Sequence, residues 1–286
     1  MQKKRNFDEI LEKHITGLGN VVIKKDIDKL TEEDFADIRH DWFGASDSSK
    51  LLDLNPFPRG TQKELIDDKV DRFTDPTIAL KGSVRKGKDL EPFVIKKAED
   101  LLGIKIEKPT VMYGMPFYGL SVNYDGVHQL APDVFIPIEI KIVTKWGKKY
   151  YDFSKSTNLE SPDFNNKMFK LERDIVPYPN AVPENFEPKS EVFETQLAEY
   201  HAKISGIPIY YYTQLQQQML FMESPFGILV VLDDDEWVMK LFKVDYNPIV
   251  ALHLKDVALI ANIQLYTRKG IPLPKEVYEL LEKKDL

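Results

Sequence analysis

The feature that most constrains this chain is the run VFIPIEIKIV at 134–143, where two charges interrupt an otherwise apolar strand pattern. A β-strand sends alternate side chains to opposite faces, so Glu139 and Lys141 share one face while Ile138, Ile140 and Ile142 share the other. The isoleucine stripe needs a packed layer beneath it, whereas the charges need water or a chemical task. Taken alone, the pair also fits an edge strand with one wet face. The stretch before it, GLSVNYDGVHQLAPD, offers two aspartates as partners for Glu139. Asp133 lies six residues upstream on what reads as the same strand, which at ~3.3 Å per residue puts the α-carbons roughly 20 Å apart. Asp125 instead precedes Gly126 at a turn signal, and a hairpin from there returns the two carboxylates to one end of adjacent strands. Asp125 is the better metal partner.

Composition narrows the chemistry. With 286 residues, 43% hydrophobic and 30% charged, the chain is long enough to bury a sizeable core and is far from a disordered composition. No apolar run approaches the roughly 20 residues of a bilayer span, and MQKKRNF is not followed by a signal-peptide core, so a cytoplasmic protein with no membrane contact is expected. The absence of cysteine excludes disulfides, thiolate zinc and cysteine nucleophiles, and five scattered histidines without HExxH speak against zinc. A net charge of −7 argues against a protein that simply coats nucleic acid, but not against local grip around a metal that neutralises its own ligands. Oxygen-only ligands suit Mg²⁺ or Mn²⁺. Lys141, on the same face as Glu139, could position an attacking water or stabilise charge developing on a phosphate.

Along the chain, Phe7, Ile10, Leu11 and Ile15 have helical spacing before a short VVI segment, and Thr31 with Asp34 forms an approximate capping box for a helix through Arg39 that should stop near Gly44. In GASDSSKLLDLNPF, Ser46 reads as the N-cap of a short helix, whose first-turn N–H groups can receive an anion. Thr61 starts another helix. RKGKDLEPFVIKKAEDLLG carries Leu90, Val94, Ala98 and Leu101 on one stripe, and Pro92 predicts that Glu91 lies at its start. Residues 145–200 form a long weakly periodic section with Pro162, Pro177, Pro179, Pro183 and Pro188; Trp146, Lys148, Lys149, Tyr150 and Tyr151 within it could stack on or neutralise a nucleic acid strand. Beyond Pro208, a helix places Leu215, Met219 and Met222 on one face and Tyr211, Gln214 and Gln218 on another. GILVVLDDDEWVMKLFKV predicts a hairpin with Asp233 to Asp235 as solvated turn residues; Asn247 and Pro248 cap a long helix to Gly270, and a last helix follows.

NYDGV followed by IEIK resembles the core of the PD-(D/E)XK nuclease superfamily, with Tyr124 in place of the usual proline. Three further blocks, GASDSSKLLDLNPF, GKDLEP and YYYTQLQQQM, resemble in order those of the phage lambda exonuclease and YqaJ-type viral recombinase family over roughly residues 31–222. Ile142 and Val143 stand where that family usually has Cys-Pro, and the 145–200 insertion is a further departure.

The resemblance implies a single α/β domain over 1–286 with a restriction-endonuclease-like mixed central sheet flanked by helices: a helical part at 1–80 holding a DNA-end phosphate pocket, a catalytic core at 81–144 and 201–266, and the insertion between. It implies that Asp125, Glu139, Glu91 and the Ile140 backbone carbonyl hold metal, with two Mg²⁺ ions per site and Mn²⁺ as a substitute, and that Lys141 serves the nucleophilic water. Gln214 and Tyr211 would line the site, and Arg39 and Ser46 would receive a 5′-phosphate. The implied activity is 5′-to-3′ exonuclease action on linear duplex DNA, leaving 3′ overhangs for a single-strand annealing partner, by a ring-shaped homo-oligomer of phage or prophage origin. A restriction-like or repair endonuclease on the same core, and a catalytically silent DNA-end binding protein, are the alternatives.

Overall fold

The computed structural model describes residues 2–75, 82–145, 147–158, 193–275 and 277–279. Trp146 and the prolines at 162, 177, 179, 183 and 188 lie outside the described residues, as does most of the expected C-terminal helix. Helix α1 (Gln2–Gly17) buries Leu11 and Ile15, and Gly19, at φ +87°, turns the chain into β1 (Val21–Lys24). Thr31 caps α2 (Glu32–His40) with the reciprocal bonds of a capping box: its hydroxyl accepts from the Asp34 N–H at 3.1 Å, and the Asp34 carboxylate accepts from the Thr31 N–H. The helix ends before Gly44, which belongs to β2 (Phe43–Gly44).

Two local expectations are corrected next. Ser46 is not a helix cap: it lies within a 3₁₀ turn, Ala45–Asp47, that precedes α3 (Ser48–Leu51), and the capping role falls to Asp47, whose carboxylate accepts from the Gly44 N–H at 3.0 Å. Helix α4 (Gln62–Val70) starts at Thr61 as expected, but α5 (Gly82–Leu102) begins well before Pro92. Proline costs a helix the bond to the carbonyl four residues back, and both Pro92 and Lys88 are exposed, so water can take that carbonyl. Glu91 therefore sits in mid-helix, not at a start.

The chain then builds β3 (Met112–Met115), β4 (Leu120–Val122), β5 (Gly126–Ala131), β6 (Val134–Val143) and β7 (Thr157–Asn158), followed by α6 (Phe193–Ser205), α7 (Ile209–Met222), β8 (Phe226–Asp233), β9 (Val238–Asp245) and α8 (Pro248–Lys269). The expected mixed sheet is β5-β6-β8-β9-β7, and a second mixed sheet, β1-β3-β4-β2, accompanies it. Strand β6 is interior, antiparallel to β5 and parallel to β8, which removes the edge-strand reading of its charges. Its stripe of Ile136, Ile138 and Ile140 packs on Val94, Ala98 and Leu102 of α5. The opposite face of the sheet, with Val143, Leu229 and Val231, packs on Leu215 and Met219 of α7 and Ala198 of α6. The acidic turn is also tighter than expected: Asp233 is buried, accepts from the Asp235 N–H and pairs with Lys148 at 2.6 Å. Helix α8, 22 residues long and apolar enough to cross a bilayer, departs from the expectation of no such run; Val250, Leu254, Ala258 and Leu265 bury one of its faces, as in a core helix.

Helix α7 joins the layers. Phe221 and Met222 belong to the core under the first sheet, while Tyr212, Leu215 and Met219 belong to the core under the second. Consecutive helical residues point about 100° apart, so Gln216, Gln217 and Gln218 aim in three directions. Gln216 accepts from the Asn247 N–H at 2.8 Å and donates to the Asp245 carbonyl at 2.9 Å. Gln217 donates to the carbonyls of Phe43 and Ser121 at 3.1 and 2.8 Å and accepts from the Ser48 hydroxyl at 2.7 Å. Replacing Gln217 with Leu removes the side-chain donor of two buried carbonyls, while the Ser48 hydroxyl keeps the Ala45 carbonyl as acceptor, and urea unfolding should show a loss of about 2–4 kcal/mol.

Candidate active site

The β5–β6 ladder runs from a two-residue turn at Pro132 and Asp133 to the pair Gly126↔Ile138. Asp133 is exposed at the turn, at the far end from Glu139. Asp125 stands just past the open end, and its Oδ2 accepts from the Ile140 N–H at 3.1 Å. The N–H and C=O of one strand residue point to the same side, so the Ile140 carbonyl also faces the edge that β5 has vacated. Tyr124, in the place of the expected proline, is buried and donates to the Gln218 carbonyl at 3.2 Å, tying the approach of Asp125 to α7. Gly126 lets Ile106 close in, since a Cβ there would meet the isoleucine Cγ2 at 2.5 Å.

Glu139 is 2% exposed and is held from two elements. Its Oε1 accepts from Gln214 Nε2 at 2.6 Å and from the Lys141 ammonium, and its Oε2 accepts from Gln218 Nε2 at 2.7 Å. Lys141 Nζ lies 3.9 Å from Asp125 Oδ2 and 5.2 Å from the centre of the Tyr211 ring. Burial and then the charge of Asp125 push the Glu139 carboxyl up to about 7, against the pull of Lys141 and Gln218. Burial works to lower Lys141, but the carboxylates of Glu139 and Asp125 outweigh it and hold the group above its ordinary value. With no metal on the carboxylates, they favour the ammonium form of Lys141. The side chains of Asp125 and Lys141 remain about a quarter exposed, so the cluster opens on that side.

Two carboxylates and a strand-edge carbonyl make an all-oxygen donor set, and Glu139 is short of positive charge; both properties fit Mg²⁺ or Mn²⁺. The structure thus brings together Asp125, Glu139, Ile140, Lys141, Gln214 and Tyr211. Glu91 is paired with Lys108 and not with the cluster, and among the described residues no three Asp, Glu or His side chains gather into a metal cage. Arg39 and Ser46 do meet: Arg39 Nη2 donates to Ser46 Oγ at 2.9 Å and lies 3.6 Å from Asp47. Behind them Lys69 is buried, 3.0 Å from Asp47 and donating to the carbonyls of Arg39 and Trp42 at 2.8 and 2.7 Å. Arg39 opens onto a cavity of about 620 Å³ that Lys50, Phe57 and Arg59 also line.

Sequence reasoning missed Gln218 as a Glu139 partner and the Asp47–Lys69 pair behind Arg39. Gln218 was discoverable, because it stands four residues from Gln214 on the same face. Lys69 gave no signal, being one charge in a helix full of them.

Family and fold comparisons mark the chain as a nuclease, an enzyme that hydrolyses DNA. The model of the YqaJ-like viral recombinase domain matches residues 34–223, and the chain belongs to that family. Among solved structures it resembles an alkaline exonuclease from Laribacter hongkongensis at 14% identity and a TM-score of 0.52, covering 88% of this chain and 97% of that one. The same exonuclease in complex with dAMP superposes at 15% identity and a TM-score of 0.49, over 88% and 98% of the two chains. No curated protein matches the chain in sequence.

The raised Glu139 carboxyl has a measurable consequence. Its ordinary value is 4.5 and its folded value about 7, so between these the folded state holds a proton that the unfolded chain has released. In metal-free buffer this group's contribution to stability falls as pH rises through that window. Urea titrations should show a flatter pH slope in Glu139→Gln than in the parent, and saturating Mg²⁺ should restore stability to the parent near the top of the window; equal slopes would contradict the burial argument.

Proposed function

We propose that the chain is a Mg²⁺-dependent exonuclease that degrades the 5′-ended strand of linear duplex DNA and leaves a 3′ overhang for a single-strand annealing protein. The observation that carries this reading is the convergence of Asp125, Glu139 and Lys141 at the open end of the β5–β6 ladder, with Arg39 at the end of α2 bonded to Ser46 on a turn that is itself tied to α7 through Ser48 and Gln217. Asp125, Glu139 and the Ile140 carbonyl would hold the ion; Glu91 would join them only if its pair with Lys108 opens. Bound there, the ion would polarise the phosphodiester and lower the pKa of a coordinated water.

The protein's own groups do the rest. Gln214 and Gln218 fix both oxygens of Glu139, so the carboxylate cannot rotate away. Lys141, protonated and partly exposed, stands ready to stabilise charge that develops on the phosphate oxygens. Arg39 and Ser46 present a guanidinium and a hydroxyl that suit a terminal phosphate, and Asp47, itself paired with Lys69, orients the guanidinium. The 5′ polarity is assigned to that pocket: a 5′-terminal phosphate held there would register the end before the chemistry begins.

Linear duplex should be degraded with Mg²⁺ while covalently closed circles survive; cutting of the circles would overturn the exonuclease reading in favour of an endonuclease. Glu139→Gln or Lys141→Ala should lower the rate on linear DNA by roughly 10²-fold or more. Arg39→Ala should erase the preference for 5′-phosphorylated over 5′-hydroxyl ends, read as a ratio of initial rates; an unchanged ratio would remove the phosphate role.

A further inference from the structure

Between the Arg39 turn and the Lys141 cluster lies an aromatic track that the hydrolytic chemistry does not use. Phe57 is 45% exposed and Tyr150 is 43% exposed, and their rings stand 6.3 Å apart, edge to face. Phe57 also meets Tyr210 at 5.2 Å, Tyr210 meets Tyr211 at 4.5 Å, and Tyr211 carries Lys141 over its ring. Lys149 adds a cation 5.0 Å from the centre of the Tyr150 ring. The far end of the track is the cavity shared by Arg39, Lys50, Phe57 and Arg59. The rings thus run from the cationic pocket to the catalytic lysine.

Phe57 is exposed on a loop that is not free to fold it inward. Asn55 accepts from the Phe57 N–H at 3.0 Å and donates to the buried Ser49 hydroxyl at 2.9 Å, which anchors the loop to α3. Gly60 closes it, since a Cβ there would lie 2.5 and 2.6 Å from the carbonyl oxygens of Phe57 and Asn55. A large apolar ring held rigidly in solvent by buried polar anchors serves contact with another molecule better than it serves the core. The partner must offer flat π faces close to phosphates, because cations flank the rings at both ends. That is the chemistry of a nucleobase.

We propose that Phe57, with Tyr210 and Tyr150, forms a stacking platform for the base of the terminal nucleotide, so that the protein recognises a DNA end by its first base as well as by its phosphate. This rests on the DNA-end reading above. Stacking on the platform orients the first nucleotide along the track, with its phosphate at Arg39 and its sugar-phosphate chain directed toward Lys141. Every base has a π face, so the platform accepts all four and favours purines.

The test measures equilibrium binding by fluorescence anisotropy, with the full chain and Ca²⁺ in place of Mg²⁺, to 5′-phosphorylated duplex ends whose first nucleotide is adenosine or abasic. The parent should bind the adenosine end roughly 5- to 100-fold more tightly, the range of one stacked base. Phe57→Ala should bind both ends equally while keeping its preference for the 5′-phosphate. Phe57→Trp should restore the base preference, and Gly60→Ala, which displaces the loop without touching a ring, should reduce it. A parent that does not distinguish the two ends, or a Phe57→Ala variant that still does, overturns the platform. Absence of hydrolysis with Mg²⁺ alongside intact base discrimination would refute the exonuclease reading alone and leave the platform standing.

Discussion

The structure depends on holding a carboxyl group where water does not reach it. Desolvating an ion such as Glu139 costs several kcal/mol unless donors replace its hydration shell. Three donors do so here: an ammonium two residues along the same strand and two amides from a helix in another layer. The ammonium comes with the strand, since period two places Lys141 on the face of Glu139. The amides require that α7 cross the sheet at the depth and rotation that put Gln214 and Gln218 over Glu139. The apolar face of α7 supplies that placement through Leu215 and Met219, packed on Leu229 and Val231. Core packing and site geometry are thus two consequences of one helix position.

The same helix couples the catalytic cluster to the turn that would receive a DNA end. Gln217 accepts from Ser48, one residue past Asp47, while its neighbour Gln218 holds Glu139. Asp47 in turn fixes Gly44 and pairs with Arg39 and Lys69. The ion pair of Arg39 with Asp47, the bond of Ser48 to Gln217 and that of Gln218 to Glu139 therefore link the two places through two pairs of adjacent residues. Such satisfied polar networks resist small displacements, because moving any member leaves others unpaired in a low-dielectric interior. On the proposed function, this network would set the spacing between end recognition and bond cleavage.

How far the sequence reveals this follows from which forces are local. Capping boxes at Thr31 and Thr61 are local and were legible, as was the choice of Asp125 over Asp133, which needed only strand rise and turn chemistry. Pro92 misled because the rule against mid-helix proline assumes that the orphaned carbonyl has no water, and on this exposed face it has. Ser46 misled because Asp47, equally able to cap, lies next to it. The glutamines of α7 look like surface residues to any amphipathic reading, since such a reading assumes one buried face. This helix is buried on most of its circumference, between two cores and two sheets, so polarity there marks bonding partners and not solvent.

Charge resolves the apparent mismatch between an acidic protein and a polyanionic substrate. Asp125 and Glu139 outnumber Lys141, so with both carboxylates ionised the catalytic cluster alone carries one net negative charge and repels phosphate; a divalent ion would reverse that sign locally. At the end-binding turn the balance already runs the other way, with Arg39 and Lys69 set against the single carboxylate of Asp47. On the proposed function, an incoming phosphate would be attracted to the turn whether or not metal is present, and to the catalytic edge only once metal has loaded. That order would let a DNA end dock by its terminus before its scissile bond is engaged. The chain's overall charge of −7 sets the repulsion felt at long range, which salt screens beyond about 10 Å, whereas these two local sums act within that distance.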